Sequence, residues 1–216
     1  MKLYGYFRSS TSYRLRLALQ LKALQYENCP VNLVESQQKG EAFAGRNPFA
    51  TVPMLAVDGK DRVQSMAIIE WLDEAYPEKP LLPADIEQRY LARELAYAIA
   101  TELHAPLNLP VLKYLTSEYG QDQDGVNTWY RHWLARTLQP IERRLAQLNT
   151  GDFLFDAPGF FEVVLLPQIY NARRFGYDFS DAPHTTRIEA ACLALDEVQR
   201  AHPDNQNDTP EGETVQ

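Results

Sequence analysis

Arg8-Ser9-Ser10-Thr11-Ser12 sets four consecutive hydroxyl side chains behind an arginine. The run follows Leu3, Tyr4, Tyr6 and Phe7, which read as a strand. It precedes Leu15, Leu17, Leu19 and Leu21, which read as a helix over Tyr13 to Lys22. Hydroxyls at a strand-to-helix junction lie beside the unpaired N–H groups and partial positive charge of a first helical turn. Such a place favours an anion, and a thiolate is one. The junction has no cysteine, so a thiolate held there comes from a ligand. Plain N-capping accounts for most serine-rich helix starts. What distinguishes this one is Arg8 and a second signal downstream. Gln64-Ser65 opens another helix and offers an amide, a hydroxyl and free N–H groups to a carboxylate. Between the two, Val52-Pro53 precedes an apolar strand whose free edge could pair with an extended peptide.

The elements that must position these residues follow from the pattern. A second strand spans Tyr26 to Leu33, and Glu35 to Gly45 is polar, a loop with a short helix. Asn47-Pro48 marks a turn, and Met54 to Val57 is a strand. Asp58-Gly59-Lys60 is a hairpin signal, Val63 begins the returning strand, and Met66 to Ala75 is a helix. The order βαβ followed by ββα is thioredoxin-like, and the hydroxyl cluster sits where a thioredoxin carries its reactive cysteines. Tyr76 to Pro83 holds three prolines and reads as a linker. Beyond it the period is helical, over Ile86 to Leu103, Val111 to Tyr119, Val126 to Leu148, Val163 to Phe175 and Thr186 to Ala201. The expected fold is a thioredoxin-like α/β domain with a mixed sheet over 1–80 and an all-α domain over 85–202. A polar, disordered tail over 203–216 follows.

Composition narrows the partners. The net charge of -8 argues against nucleic acid or an anionic membrane as the main partner. It leaves room for a small anion gripped by local arginines. Cys29 and Cys192, far apart, read as free thiols in a reducing compartment. With no apolar run long enough to span a membrane and no signal pattern, the expectation is a cytoplasmic protein. His104, His132, His184 and His202 show no metal-ligand spacing, and the glycines form no phosphate loop.

Ser9 to Leu19 resembles the zeta-class glutathione transferase signature Ser-Ser-Cys-x-Trp-Arg-Val-Arg-Ile-Ala-Leu. The resemblance extends over nearly the whole chain. It takes in Asn47-Pro48, Val52-Pro53, Gln64-Ser65-x-Ala67-Ile68-Ile69-Glu70, Leu81-Leu82-Pro83, Pro167-Gln168, Asn171 to Phe175, His202-Pro203 and Asp208 to Glu211. It implies the two-domain transferase fold, glutathione as cofactor, a homodimer, and isomerisation of maleylacetoacetate to fumarylacetoacetate in tyrosine breakdown. Close bacterial relatives isomerise maleylpyruvate; a broader transferase acting on small electrophiles is a further alternative, and a non-enzymatic interaction module another.

The resemblance also implies roles. Ser9 holds the glutathione sulfur as thiolate, with Ser10 and Thr11 lining the same helix start. Gln38 contacts glutathione. Val52, before a cis Pro53, pairs with the cysteinyl amide, and Gln64 and Ser65 bind the γ-glutamyl end. His104 and Asn108 help close the site, although both also suit a turn beside Pro106 and Pro110. Arg8 and Arg174 hold the substrate carboxylates, while Arg173 reads as part of a solvated basic helix end. The chain departs from the family at Thr11, where the family has cysteine. It departs again at Gly159 and Glu162, where most transferases have a Thr-x-x-Asp capping box. Glu162 can still reach back to the N–H of residue 159.

Overall fold

A computed structural model of the chain describes residues 1–210. They form two compact units, one of Met1–Leu81 with the segment from Leu193 onward, the other of Leu82–Cys192.

The first unit is built on a four-stranded sheet of order β2-β1-β3-β4, from β1 (Lys2–Gly5), β2 (Glu27–Pro30), β3 (Met54–Val57) and β4 (Lys60–Val63). β1 runs parallel to β2 and antiparallel to β3, with Leu3 opposite both Asn28 and Leu55. The β3–β4 hairpin turns at Asp58-Gly59, both with positive φ (51° and 72°), the backbone of the tight turn that matches strand twist. The returning strand therefore ends at Val63 rather than beginning there. α1 (Ser10–Leu21) crosses from β1 to β2 and buries Leu15, Leu17, Ala18 and Leu19; α3 (Ser65–Ala75) buries Ile68, Ile69 and Leu72. Between them lie a 3-10 turn (Gln37–Lys39) and α2 (Glu41–Ala44). The proline-rich segment after α3 is tied down. Asp73 accepts from Lys22 Nζ at 3.0 Å and from the Leu81 N–H at 2.6 Å.

The C-terminal residues differ from the expected disordered tail. α10 (Asp196–Ala201) and a 3-10 turn (Pro203–Asn205) belong to the first unit. Arg16, 2% exposed, donates through Nε to the Ala201 carbonyl at 2.9 Å and through Nη2 to the Phe7 carbonyl at 2.8 Å. Tyr13 meets His202 edge-on, and Arg200 donates to Gln20. Thr209 donates to the Pro203 carbonyl, and Asp208 accepts the Phe7 N–H. Polar composition reads as disorder, but here Asp208 reaches the N–H of Phe7, Asn207 accepts from Asn28 on β2, and Asn205, Gln206 and Thr209 donate to carbonyls of α10 and the turn after it. The rest of that tail, 211–216, including Glu211 of the resemblance, lies outside the described residues.

The second unit is helical: α4 (Ile86–Tyr97), a π-helical stretch (Ala98–Leu103), α5 (His104–Leu107), α6 (Leu109–Tyr119), α7 (Gln123–Leu148), α8 (Phe160–Arg174) and α9 (Pro183–Leu193). The expected single helix over 86–103 changes to the wider π winding at Ala98. The turn at 104–108 is a short helix followed by an Asn108 cap. The expected helix over 186–201 is two, because Leu195 is extended (φ -90°, ψ 132°). α8 is the core, with Phe160 to Tyr170 all buried. Two buried carboxylates cap helices in this unit. Glu142 accepts from the N–H groups of His184 and Thr185 and from the Thr185 hydroxyl at 2.7–2.9 Å. Glu162 accepts the Gly159 N–H at 2.8 Å and the Leu154 N–H at 2.7 Å. Glu162 thus replaces the family's aspartate at the start of α8, and burial pushes its carboxyl above the usual range while the backbone N–H groups pull it down.

No helix among the described residues is long and apolar enough to cross a membrane.

Candidate active site

Gly5 ends β1 where a Cβ would lie 3.1 Å from Ser12 Oγ. The missing side chain lets the start of α1 close down on the strand. Ser12, fully buried, accepts the Tyr6 N–H at 3.3 Å. Ser9 is the N-cap of α1 (φ -68°, ψ 120°), and its Oγ accepts the Ser12 N–H at 3.2 Å. Ser9 Oγ also lies 2.9 Å from Thr11 Oγ1, and Thr11 Oγ1 donates to the Val52 carbonyl at 2.9 Å. One hydrogen-bond chain thus joins the first turn of α1 to the cis Val52–Pro53 peptide. Asn47, with no exposed surface, shapes the loop before that peptide. Its side chain donates to the Thr51 carbonyl at 2.6 Å and accepts the Phe49 N–H at 3.1 Å. Ser9, Thr11 and Val52-Pro53 are therefore brought together. Ser10 follows Ser9 as the first residue of α1 and is buried.

Gln64 is the N-cap of α3 in a sparsely populated conformation (φ 72°, ψ 105°), and Ser65, 5% exposed, is its first residue. A non-glycine residue in that region costs of order 1–3 kcal/mol and persists where surrounding structure imposes it. Neither α1 nor α3 has an acidic side chain in its first turn, so the positive ends of both helix dipoles stand uncompensated in a protein of net charge -8. Gln38, in the 3-10 turn, has a buried Oε1 with no donor among the described residues. A ligand amide would satisfy it. Arg8 leaves the strand end half-buried, its guanidinium 5.3 Å from the Phe7 ring centroid. These features fit a peptide that brings a thiol, amides and carboxylates.

The remaining sequence candidates lie in the second unit. His104 opens α5 and is half-buried. Asn108 is exposed and accepts the Leu109 N–H at 2.8 Å, so its observed role is a helix cap. Arg173 is held by Glu189 through Nε at 2.9 Å and through Nη2, and lies over the Phe179 ring. It is an ion-paired residue, not a freely solvated one. Arg174 is exposed and joins no ion pair among the described residues. It lies near Tyr130, whose ring stacks on Phe175 at 3.7 Å. Burial pushes the Tyr130 phenol up while the Arg174 guanidinium pulls it down. A cavity of about 370 Å³ in this unit, lined by Glu94, Glu102, Arg136 and Arg144 among others, contains none of the candidate residues. No metal-holding cluster of His, Cys, Asp and Glu occurs among the described residues.

A thioredoxin-like sheet whose first helix begins with an anion-ready hydroxyl cluster beside a cis-proline edge defines a class of thiol-peptide-binding proteins. Comparison with known proteins agrees. Residues 1–74 match the family described as glutathione S-transferase, N-terminal domain. The chain is 39% identical over 211 residues to the maleylpyruvate isomerase of Ralstonia sp, covering 97% of this chain and all of that one. It is 39% identical over 213 residues to the maleylacetoacetate isomerase of Pseudomonas aeruginosa, covering 97% and 99%. Among solved structures, a holo maleylpyruvate isomerase described as a bacterial zeta-class glutathione transferase superposes with a TM-score of 0.95 at 39% identity, covering 97% of this chain and 100% of that one. The maleylacetoacetate isomerase of Anaeromyxobacter dehalogenans, with bound dicarboxyethyl glutathione and citrate, gives 0.86 at 39% identity, covering 98% and 94%. The chain belongs to the glutathione transferase family, in its zeta class.

Proposed function

We propose that the protein is a glutathione-dependent cis–trans isomerase of an unsaturated diketo-dicarboxylate, converting maleylacetoacetate to fumarylacetoacetate in tyrosine and phenylalanine catabolism. Maleylpyruvate is the alternative substrate of the same chemistry. The observation that carries this reading is the Ser9 N-cap, its hydroxyl set at the positive end of α1 and linked through Thr11 to the cis Val52–Pro53 edge.

When bound, glutathione supplies a thiolate that adds to the conjugated double bond, leaves a single bond free to rotate, and is expelled unchanged. The protein does the rest. Ser9 and the N–H groups of α1 stabilise the sulfur anion, with Ser10 and Thr11 completing the helix start. Gln64 and Ser65 receive the γ-glutamyl carboxylate at the N-terminus of α3. Val52 pairs its backbone with the cysteinyl residue, and Gln38 accepts a ligand N–H. His104 and Asn108 help close the site. Arg8 and Arg174 hold the two substrate carboxylates, and the charge that develops on addition falls to the same cations. The adduct held by the Anaeromyxobacter relative is glutathione bearing a two-carboxylate substituent, the kind of product such an addition yields.

The second reading, a broader transferase, shares the thiolate site but not the dependence on two carboxylates. We further propose a homodimer. Ile86, Tyr90 and Tyr97 leave one stripe of α4 apolar and exposed, at 75%, 63% and 36%. Leu95 and Ile99, on the opposite side of the same segment, are buried within the unit. A cytoplasmic setting accords with two free cysteines, Cys29 half-buried and Cys192 buried. The deciding experiment measures isomerisation of maleylacetoacetate and of maleylpyruvate with and without glutathione. Turnover of one or both only with glutathione is expected; conjugation of electrophiles lacking carboxylates, with neither isomerisation, overturns the proposal in favour of the broader transferase.

A further inference from the structure

The Ser9–Thr11–Val52 chain has a definite direction. A carbonyl only accepts, so the single Thr11 hydroxyl proton points to Val52. Thr11 then has no proton left for Ser9, and the 2.9 Å contact between the two hydroxyls is made by the Ser9 proton. Ser9 Oγ also accepts the Ser12 N–H. Its remaining capacity is one lone pair. In this arrangement Ser9 presents an acceptor to a ligand, which suits a neutral thiol and not a thiolate.

We propose that Thr11 is a positioning residue that sets the direction of the Ser9 hydroxyl, so that Ser9 receives glutathione as a thiol and turns its proton from Thr11 to sulfur only when the thiolate forms. The inference rests on the functional reading above and deepens it. Ser9 keeps its own proton throughout; the thiol proton leaves to solvent, and one O–H···O hydrogen bond is exchanged for one O–H···S bond. Thr11 thereby competes with the thiolate for the Ser9 proton and holds the sulfur less acidic than an isolated serine would. Its second task is at the other end of the chain, where it satisfies the Val52 carbonyl and fixes the edge on which the peptide lies.

The two tasks predict opposite effects in one variant. Thr11→Val removes the competing acceptor, so the thiol of bound glutathione should ionise about half to one pH unit lower, the worth of one ordinary hydrogen bond. It also leaves the Val52 carbonyl without its donor, so KM for glutathione should rise several-fold. Thr11→Ala should shift ionisation the same way, and Thr11→Ser should restore wild-type values for both. The test is ultraviolet titration of the thiolate of bound glutathione from pH 5 to 9 in the full-length protein, with KM and kcat measured alongside. A residue that only supported the fold would raise KM without making the thiol more acidic. An unchanged or raised thiol ionisation pH in both Thr11→Val and Thr11→Ala overturns the inference and leaves the isomerase reading standing. A wild type that shows no bound thiolate at any pH overturns both.

Discussion

The Asp208 carboxylate accepts the N–H of Phe7 at 2.9 Å, across a separation of 201 residues. Phe7 directly precedes Arg8 and Ser9, so the end of the described chain fixes the turn that presents the proposed site. Asp208→Ala removes the acceptor of a part-buried backbone donor. Such a loss costs about 1–3 kcal/mol. The urea midpoint should fall accordingly, and kcat/KM should drop with it because the turn loosens. An unchanged midpoint would mean that another group satisfies Phe7.

Ser9→Ala should lose isomerase activity on the order of 10²-fold, the cost of one anion-stabilising donor. It should also lose about 1 kcal/mol of stability, because the same oxygen caps α1. Glutathione binding, measured by calorimetry, should persist through Gln64, Ser65 and Val52. Full turnover in this variant would move the thiolate role to Ser10 or Thr11.

Arg8→Met and Arg174→Met should each raise KM for the dicarboxylate and leave the Kd of glutathione nearly unchanged. A guanidinium that also holds the developing charge should lower kcat too. Arg173→Met, by contrast, should act on stability through its lost Glu189 pair. Steady-state kinetics with both substrates varied separates these outcomes.

Glu162 sets a pH trend. Burial raises its carboxyl above the ordinary glutamate value of 4.5, so between that value and its folded value the folded state binds more proton than the unfolded chain. Its contribution to stability is therefore fully present below 4.5 and is lost as pH rises through the folded value. Compared with Glu162→Gln, which does not titrate, the wild type should gain relative stability as pH falls towards 4.5. Denaturant melts of both proteins at several pH values test the sign.

Features encoded by neighbouring residues were legible in the sequence. The Ser9 cap, the Asp58-Gly59 hairpin and the Gln64-Ser65 helix start each depend on a few adjacent positions, and all appear where expected. Features that depend on distant partners were not legible. Arg14 and Arg16 sit two residues apart on α1, both 2% exposed. Arg16 finds the carbonyls of Ala201 and Phe7, whereas Arg14 Nε and Nη2 have no partner among the described residues, and burial lowers its pKa to about 10. Nothing local separates the two. The ordered residues 203–210 escaped for a related reason: composition counts polar groups but does not say that Asp208 meets Phe7, that Asn207 meets Asn28, or that Asn205 and Gln206 fold back on the carbonyls of α10. The π winding at Ala98 and the break at Leu195 also left no mark in the apolar period, which runs through both. Gln38 had no local signal, and only its unsatisfied buried oxygen gives the family resemblance a physical basis there.

The grouping of Leu193 onward with Met1–Leu81 makes the helical unit an insertion within the first one. On the ribosome, the strand and helix that carry Ser9 emerge early, yet Ala201 and Asp208 emerge only after all of Leu82–Cys192. Arg16 and the Phe7 N–H must wait for them. The proposed thiolate site is thus among the first parts of the protein to be synthesised and among the last to be finished. A nascent or proteolytically shortened chain would carry the signature residues without the contacts that hold them in place.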